Sequence, residues 1–334
     1  MRPIPASPRT VGEDEMGLKV KAMAAMLALS PWSLAMADAI DGRRGPSEIV
    51  AGAKEDDWRY VDPAQLMILE LEEGQVVIEL SARFAQGHVA QMKALAKAGF
   101  YDGLSFYRVI EGFVAQGGDV FETRDLPAGA VGGLAAEFDE TLDDSAFAAI
   151  HTLSVHRNAE GTGNSGYAHA TGVIDGFPVG MELSGASHKV WLLHCTGAVA
   201  MARDTKRDTG GTEIYITLQP QRYLDRNLTV FGRVIDGMTH VQALTRQAPP
   251  EAETDPLGDV IKRAWMADAP PDGETAPQYR VMKNDTPLFD EYVESRRNRP
   301  EAFFYYRPDY VDVCQLPIPV ERVTSSEAND GEGK

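Results

Sequence analysis

Cysteine is nearly absent from this chain: two in 334 residues, Cys195 and Cys314. Two cysteines so far apart exclude a disulfide-rich scaffold and any CxxC metal or redox motif. A pair of buried free thiols is the default reading, and one long-range bridge is the alternative in an oxidising compartment. Positive charge is also short, with 32 Lys and Arg against 50 Asp and Glu, for a net charge of -18. Nucleic-acid binding needs a basic footprint to displace phosphate counterions, so that class of partner is not expected. No apolar run is long enough to span a bilayer as a helix. Five of the seven histidines, His151, His156, His169, His188 and His194, crowd one stretch. Their spacing matches neither H-x-x-x-H nor HExxH, so no metal is expected, and no cofactor motif occurs.

What remains is ordinary globular composition, 43% hydrophobic and 25% charged, which is enough for a sizeable core. Near the start, Lys19 and Lys21 precede the apolar run Ala22 to Leu29, and Ala35-Met36-Ala37 follows. That order of charge, apolar run and small-x-small site is that of a secretory signal peptide over residues 1–37, with Met16 as the tidier start. It predicts a periplasmic or secreted protein, or a cytoplasmic one if the segment is not a signal.

Residues 38–63 read as a polar N-terminal arm. Regular patterning begins with Leu66 to Leu71 and Val76 to Leu80, two strands around the Glu73-Gly74 turn. His88 to Ala98 has helical spacing and ends at Gly99. Ser105 to Ala115 reads as a strand, and Gly117-Gly118-Asp119 breaks it. Ala198 to Arg203, Glu213 to Leu218, Thr229 to Ile235 and Val260 to Met266 read as further strands. Met238 to Thr245 is a second helix. Many short strands with two helices predict an all-β barrel or sandwich. Residues 142–194 look like an insertion, within which Gly172 to Met181 has hairpin chemistry. Residues 268–334 form a proline- and aromatic-rich extension, expected to strap the barrel, with an acidic disordered tail from Val323.

The stretch Phe106-Tyr107-Arg108-Val109-Ile110-Glu111-Gly112-Phe113-Val114-Ala115-Gln116-Gly117-Gly118-Asp119 resembles the F-x-R-x-I-x-G-F-x-x-Q-G-G-D signature of cyclophilins. Gly197 to Arg203 is similar to the family's G-x-x-x-M-A-N strand. Tyr223-Leu224-Asp225 with Val230 to Val234 is similar to its W/H-L-D and V-F-G-K/R-V blocks. The resemblance spans about residues 64–267, interrupted by the insertion. It implies an eight-stranded antiparallel barrel with a helix capping each end. It also implies peptidyl-prolyl cis-trans isomerase activity on proline-containing peptides and unfolded proteins.

The chemistry suits that residue set. Amide resonance opposes rotation with a barrier of roughly 18–20 kcal/mol, and X-Pro bonds have near-balanced isomers, so only the barrier obstructs exchange. By resemblance, Arg108 is the transition-state donor, Phe113 a wall of the proline pocket, and Gln116 a partner of the substrate backbone or of Arg108. Val114, Tyr215 and Leu224 line the pocket, and Ala202 sits beside the peptide path. Arg203, Glu213 and Tyr223 occupy binding positions where the family commonly has Asn, Gln and Trp or His. Leu228 replaces a frequent His and Val114 a frequent Met. These departures bear on inhibitor sensitivity and peptide preference more than on catalysis. A catalytically weak, proline-binding chaperone or assembly module is the alternative reading.

Overall fold

The computed structural model describes residues 42–156, 167–184, 187–252 and 257–323. The signal-like segment at 1–37 and the tail beyond Val323 lie outside the described residues. The arm begins with helix α1 (Pro46–Ala51) and strand β1 (Trp58–Tyr60). Strands β2 (Leu66–Glu70) and β3 (Gln75–Leu80) form the first hairpin, followed by helix α2 (Gln86–Lys97). Strands β4 (Ser105–Val109) and β5 (Val114–Gly118) come next. The single strand expected from Ser105 to Ala115 is thus two. The turn between them is closed by Ile110 N–H on Val114 O at 2.9 Å. Glu111-Gly112 marks that turn, with Gly112 at a φ of 67°, between two apolar runs that otherwise read as one strand.

The stretch after β5 holds β6 (Glu140–Leu142), α3 (Asp144–Ala148), β7 (His151–Val155), β8 (Ala170–Ile174), β9 (Phe177–Ser184) and β10 (Ser187–Leu192). The expected hairpin is β8–β9, turning at Asp175-Gly176. The chain continues through β11 (Ala198–Met201), β12 (Ile214–Thr217), β13 (Val230–Asp236), α4 (Met238–Ala243), β14 (Asp259–Val260) and β15 (Arg263–Met266). It ends in β16 (Gln278–Met282), α5 (Pro287–Arg297) and β17 (Val320–Val323).

One sheet runs β14-β4-β5-β12-β11-β13-β3-β2-β15. Its two outer members are one chain segment: Val260 pairs with Ser105 while Arg263 pairs with Glu70. Counted as one bent strand, the segment closes an eight-stranded antiparallel barrel and leaves no free edge. Strand alternation sorts the side chains. Ala115, Val199, Met201, Ile214, Ile216 and Phe231 point into the barrel with Met92 and Leu95 of α2 and Val241 of α4. Val114, Ala198, Ala200, Tyr215 and Val230 point outward, yet they too are buried.

The cover over that outer face is the five-stranded sheet β6-β10-β9-β8-β7. Its Ile174, Phe177, Val179, Val190 and Leu192 complete the second core. Burial on both faces explains why these barrel strands read as continuous apolar runs. A third sheet, β1-β16-β17, joins the arm to the extension. Ile49, Trp58, Phe289 and Tyr292 share a core beneath it, so the arm is packed structure rather than a polar spacer. Cys195 and Cys314 are bonded to each other. This corrects the default of two free thiols: Asp312 Oδ1 accepts the Cys314 N–H at 2.9 Å and sets the extension against the end of β10. The expected aromatic strap is only half realised. Phe289 and Tyr292 pack, whereas Phe303, Tyr305 and Tyr306 stand in solvent.

Candidate functional site

Two hairpins and one loop assemble the site. Arg108 on β4 faces Gln116 on β5, and Gln116 faces Tyr215 on β12, in direct register. The Nη1–H of Arg108 donates to Gln116 Oε1 at 3.0 Å. Nε2–H of the same amide donates to the Tyr107 hydroxyl at 2.6 Å. Gln116 is therefore held at both ends of its side chain, and it fixes one arm of the guanidinium. The Arg108 guanidinium carbon lies 5.4 Å from the centre of the Phe113 ring, within the range of a cation–π contact. The Phe113 ring runs nearly parallel to that of Tyr223, centroids 6.5 Å apart.

Phe113, Ala202, Leu224 and Leu228 pack half-buried against the outer core that holds Val114 and Tyr215. The result is a half-buried apolar surface with the Arg108 cation beside it. Tyr223 is 56% exposed and forms the outer lip.

Glu213 belongs to a neighbouring cavity of about 660 Å³ lined also by Tyr107, Gln116, Asp119, Arg124 and Ala202. Burial, reinforced by the Asp119 charge, pushes the Glu213 carboxyl up to about 7, against the hydrogen bond from Tyr107. Burial and the Glu213 charge likewise drive the Tyr107 phenol far above its ordinary value. The two consecutive glycines of the motif have separate causes. A Cβ on Gly117 would lie 2.8 Å from the Ser105 carbonyl oxygen, and one on Gly118 only 2.4 Å from a Glu213 carboxyl oxygen. Asp119 anchors the following loop, accepting from Arg124 N–H at 2.7 Å and Thr123 Oγ1–H at 2.9 Å.

Arg203, expected at a position where the backbone meets substrate, also lines the cavity beside Glu213. Its guanidinium donates to the Asn227 and Asp204 carbonyls and lies 5.7 Å from the Phe138 ring centre. Its long side chain serves the surrounding loops, which a match by position alone does not reveal. Tyr107, within the motif, received no role from sequence; its place beside Gln116 depends on the irregular register between Ser105 and Arg108. Among the described residues no three His, Cys, Asp or Glu side chains form a metal site. The clustered histidines go separate ways. His188 stacks on Phe147, His151 meets Phe289 edge-on, and His194 is buried behind Tyr215.

The family model of cyclophilin-type peptidyl-prolyl cis-trans isomerases matches residues 66–264. The chain belongs to the cyclophilin family. A probable peptidyl-prolyl cis-trans isomerase of Brucella suis is 28% identical over 190 residues, 57% of this chain and 76% of that protein. Peptidyl-prolyl cis-trans isomerase B of Bacillus subtilis is 34% identical over 169 residues, 50% of this chain and 82% of its own. Among solved structures, a cyclophilin from Hirschia baltica is 30% identical with a TM-score of 0.65, covering 85% of this chain and 99% of that one. That likeness reaches beyond the cyclophilin barrel into the additions around it. As a member of this family the chain is a peptidyl-prolyl cis-trans isomerase. No helix of the described residues is long and apolar enough to cross a membrane.

Proposed function

We propose that Arg108, Phe113 and Gln116 carry the isomerisation of X-Pro bonds, and that Val114, Ala202, Tyr215, Tyr223 and Leu224 hold the substrate. The carrying observation is the Arg108 guanidinium, clamped by Gln116 at 3.0 Å and lying over the half-buried Phe113 ring. A prolyl ring seated against Phe113, Val114 and Leu224 stays still while the carbonyl side swings. In the twisted transition state the prolyl nitrogen loses its resonance and becomes a hydrogen-bond acceptor. Arg108 is always charged and presents its donors in a rigid fork. It meets that nitrogen without reorganising, and only in the transition state. No covalent intermediate is needed. Lowering the barrier by roughly 8 kcal/mol gives about a million-fold in rate.

The clients in this reading are exported or folding proteins. Two observations support an oxidising, extracytoplasmic setting: the signal-like order of residues 1–37, and the Cys195–Cys314 bond. The test of the activity is refolding of a client whose slow phase is a prolyl step. Acceleration in proportion to added enzyme is expected; an unchanged slow phase contradicts the reading. Fractionation with N-terminal sequencing tests the setting. A periplasmic chain starting at Asp38 is expected, and an uncleaved cytoplasmic one contradicts it.

A further inference from the structure

Behind the wall of the proline pocket runs a buried polar chain that the isomerisation scheme leaves unused. Tyr215 gives its ring to the pocket wall and turns its hydroxyl inward, 2.9 Å from Nε2 of His194. His194 is fully buried. Its ring lies parallel to that of Tyr215, with an interplanar angle of 9°. On its other side, Nδ1 lies 3.0 Å from Oδ1 of Asp225, and the His194 backbone N–H donates to the same oxygen at 2.9 Å. The second Asp225 oxygen accepts from Nε–H of Arg222.

The bond directions follow from the partners. A carboxylate already facing a guanidinium only accepts, so the imidazole proton sits on Nδ1. Nε2 and the Tyr215 hydroxyl share the bond on the other side, the hydroxyl donating to Nε2 when the ring carries a single proton. A phenylalanine at 215 would supply the same ring to the wall; the hydroxyl makes sense only through His194.

The chain joins parts that sequence keeps apart. Tyr215 stands on β12 of the barrel. Arg222 and Asp225 bracket Tyr223 and Leu224, the opposite lip of the pocket. His194 follows β10 of the covering sheet, its carbonyl accepts the Gln221 N–H at 2.8 Å, and its neighbour Cys195 is bonded to Cys314 of the extension.

We propose that His194 is a positioning residue of the isomerase: through Tyr215 on one side and Asp225 on the other it sets the spacing of the two walls that grip the prolyl ring. The covering sheet and the disulfide act on the pocket by seating this imidazole. The proposal rests on the pocket assignment above.

The test is a titration of an Ala-Pro-Phe peptide followed by NMR, which yields the dissociation constant from shifts and the exchange rate from line shapes. The variants are His194→Leu, His194→Gln, Tyr215→Phe and the double variant His194→Leu/Tyr215→Phe. His194→Leu orphans a buried hydroxyl and weakens peptide binding about tenfold, while the exchange rate of bound peptide changes far less, because Arg108 and Gln116 lie outside the chain. His194→Gln offers an amide oxygen to the phenol and restores most of the affinity. Tyr215→Phe in the leucine background leaves affinity low, because the tie between Tyr215 and Asp225 is still missing; full recovery there overturns the proposal, since it would mean that only the unpaired hydroxyl was costly. A folded His194→Leu protein that binds like wild type overturns the proposal, as does equal loss in affinity and bound-state rate. If His194→Leu does not fold, the ¹⁵N shifts of His194 in wild type and Tyr215→Phe decide. An Nε2 shift that moves when the Tyr215 hydroxyl is removed is expected; an unmoved Nε2 shift overturns the proposal. A wild type that binds peptide but catalyses no exchange defeats the isomerase reading alone, because affinity still reports the wall spacing.

Discussion

Glu213→Gln is predicted to flatten the pH dependence of stability between mildly acidic and mildly alkaline conditions. The carboxyl sits in the space left by Gly118, bordered by Tyr107, Thr212 and Asp119, and its Oε2 is buried without a hydrogen-bond partner. Burial raises it from its ordinary 4.5 to about 7. An unfolded chain releases this proton near 4.5, whereas the folded chain holds it until about 7. Over that window the folded state binds more protons, so stability falls as pH rises and levels off above 7. The full cost of the ionised form is about 3 kcal/mol. Glutamine keeps the shape and carries no charge to desolvate. Urea unfolding at pH 5 should find the two proteins within about 1 kcal/mol of each other, and at pH 8 should find the variant more stable by about 2–3 kcal/mol with an unchanged m-value. Parallel stability profiles for the two proteins would refute the reasoning, and so would a variant that is less stable at pH 8.

Three further outcomes follow from the same contacts. Replacing Cys195 and Cys314 by serine opens a loop of 119 residues and should cost about 4–5 kcal/mol of chain entropy, read as a lower urea midpoint. Gly118→Ala puts a side chain on a backbone with a φ of +147° and pushes the Glu213 carboxyl out of its place, and thermal unfolding should show a loss of about 1–3 kcal/mol. Tyr223→Ala removes an exposed ring lying over Phe113. It should weaken peptide binding severalfold in an NMR titration while stability changes by less than about 0.5 kcal/mol.

The barrel was legible because its strands obey local rules. The Glu73-Gly74 turn, the helix ending at Gly99 and the fourteen-residue motif are each determined within a short window. The nearness of Arg108, Phe113 and Gln116 was legible for the same reason, since they sit on one hairpin. The covering sheet was not. Beyond β8–β9 and β9–β10, its pairing is not local: β7 ends at Val155 before its partner β8 begins at Ala170, and Glu140–Leu142 becomes a strand only because β10 lies beside it. The polar chain behind Tyr215 was equally hidden. His194 and Tyr215 are joined by packing of the covering sheet on the barrel, and no spacing rule announces that contact.

The central claim is that Arg108 drives the rotation, and NMR exchange spectroscopy on an Ala-Pro-Phe peptide with wild type and Arg108→Ala tests it most directly. Fast cis–trans exchange with wild type that the variant largely loses, both proteins folded and both binding peptide, is the predicted result. Exchange that survives in Arg108→Ala at the wild-type rate would contradict it.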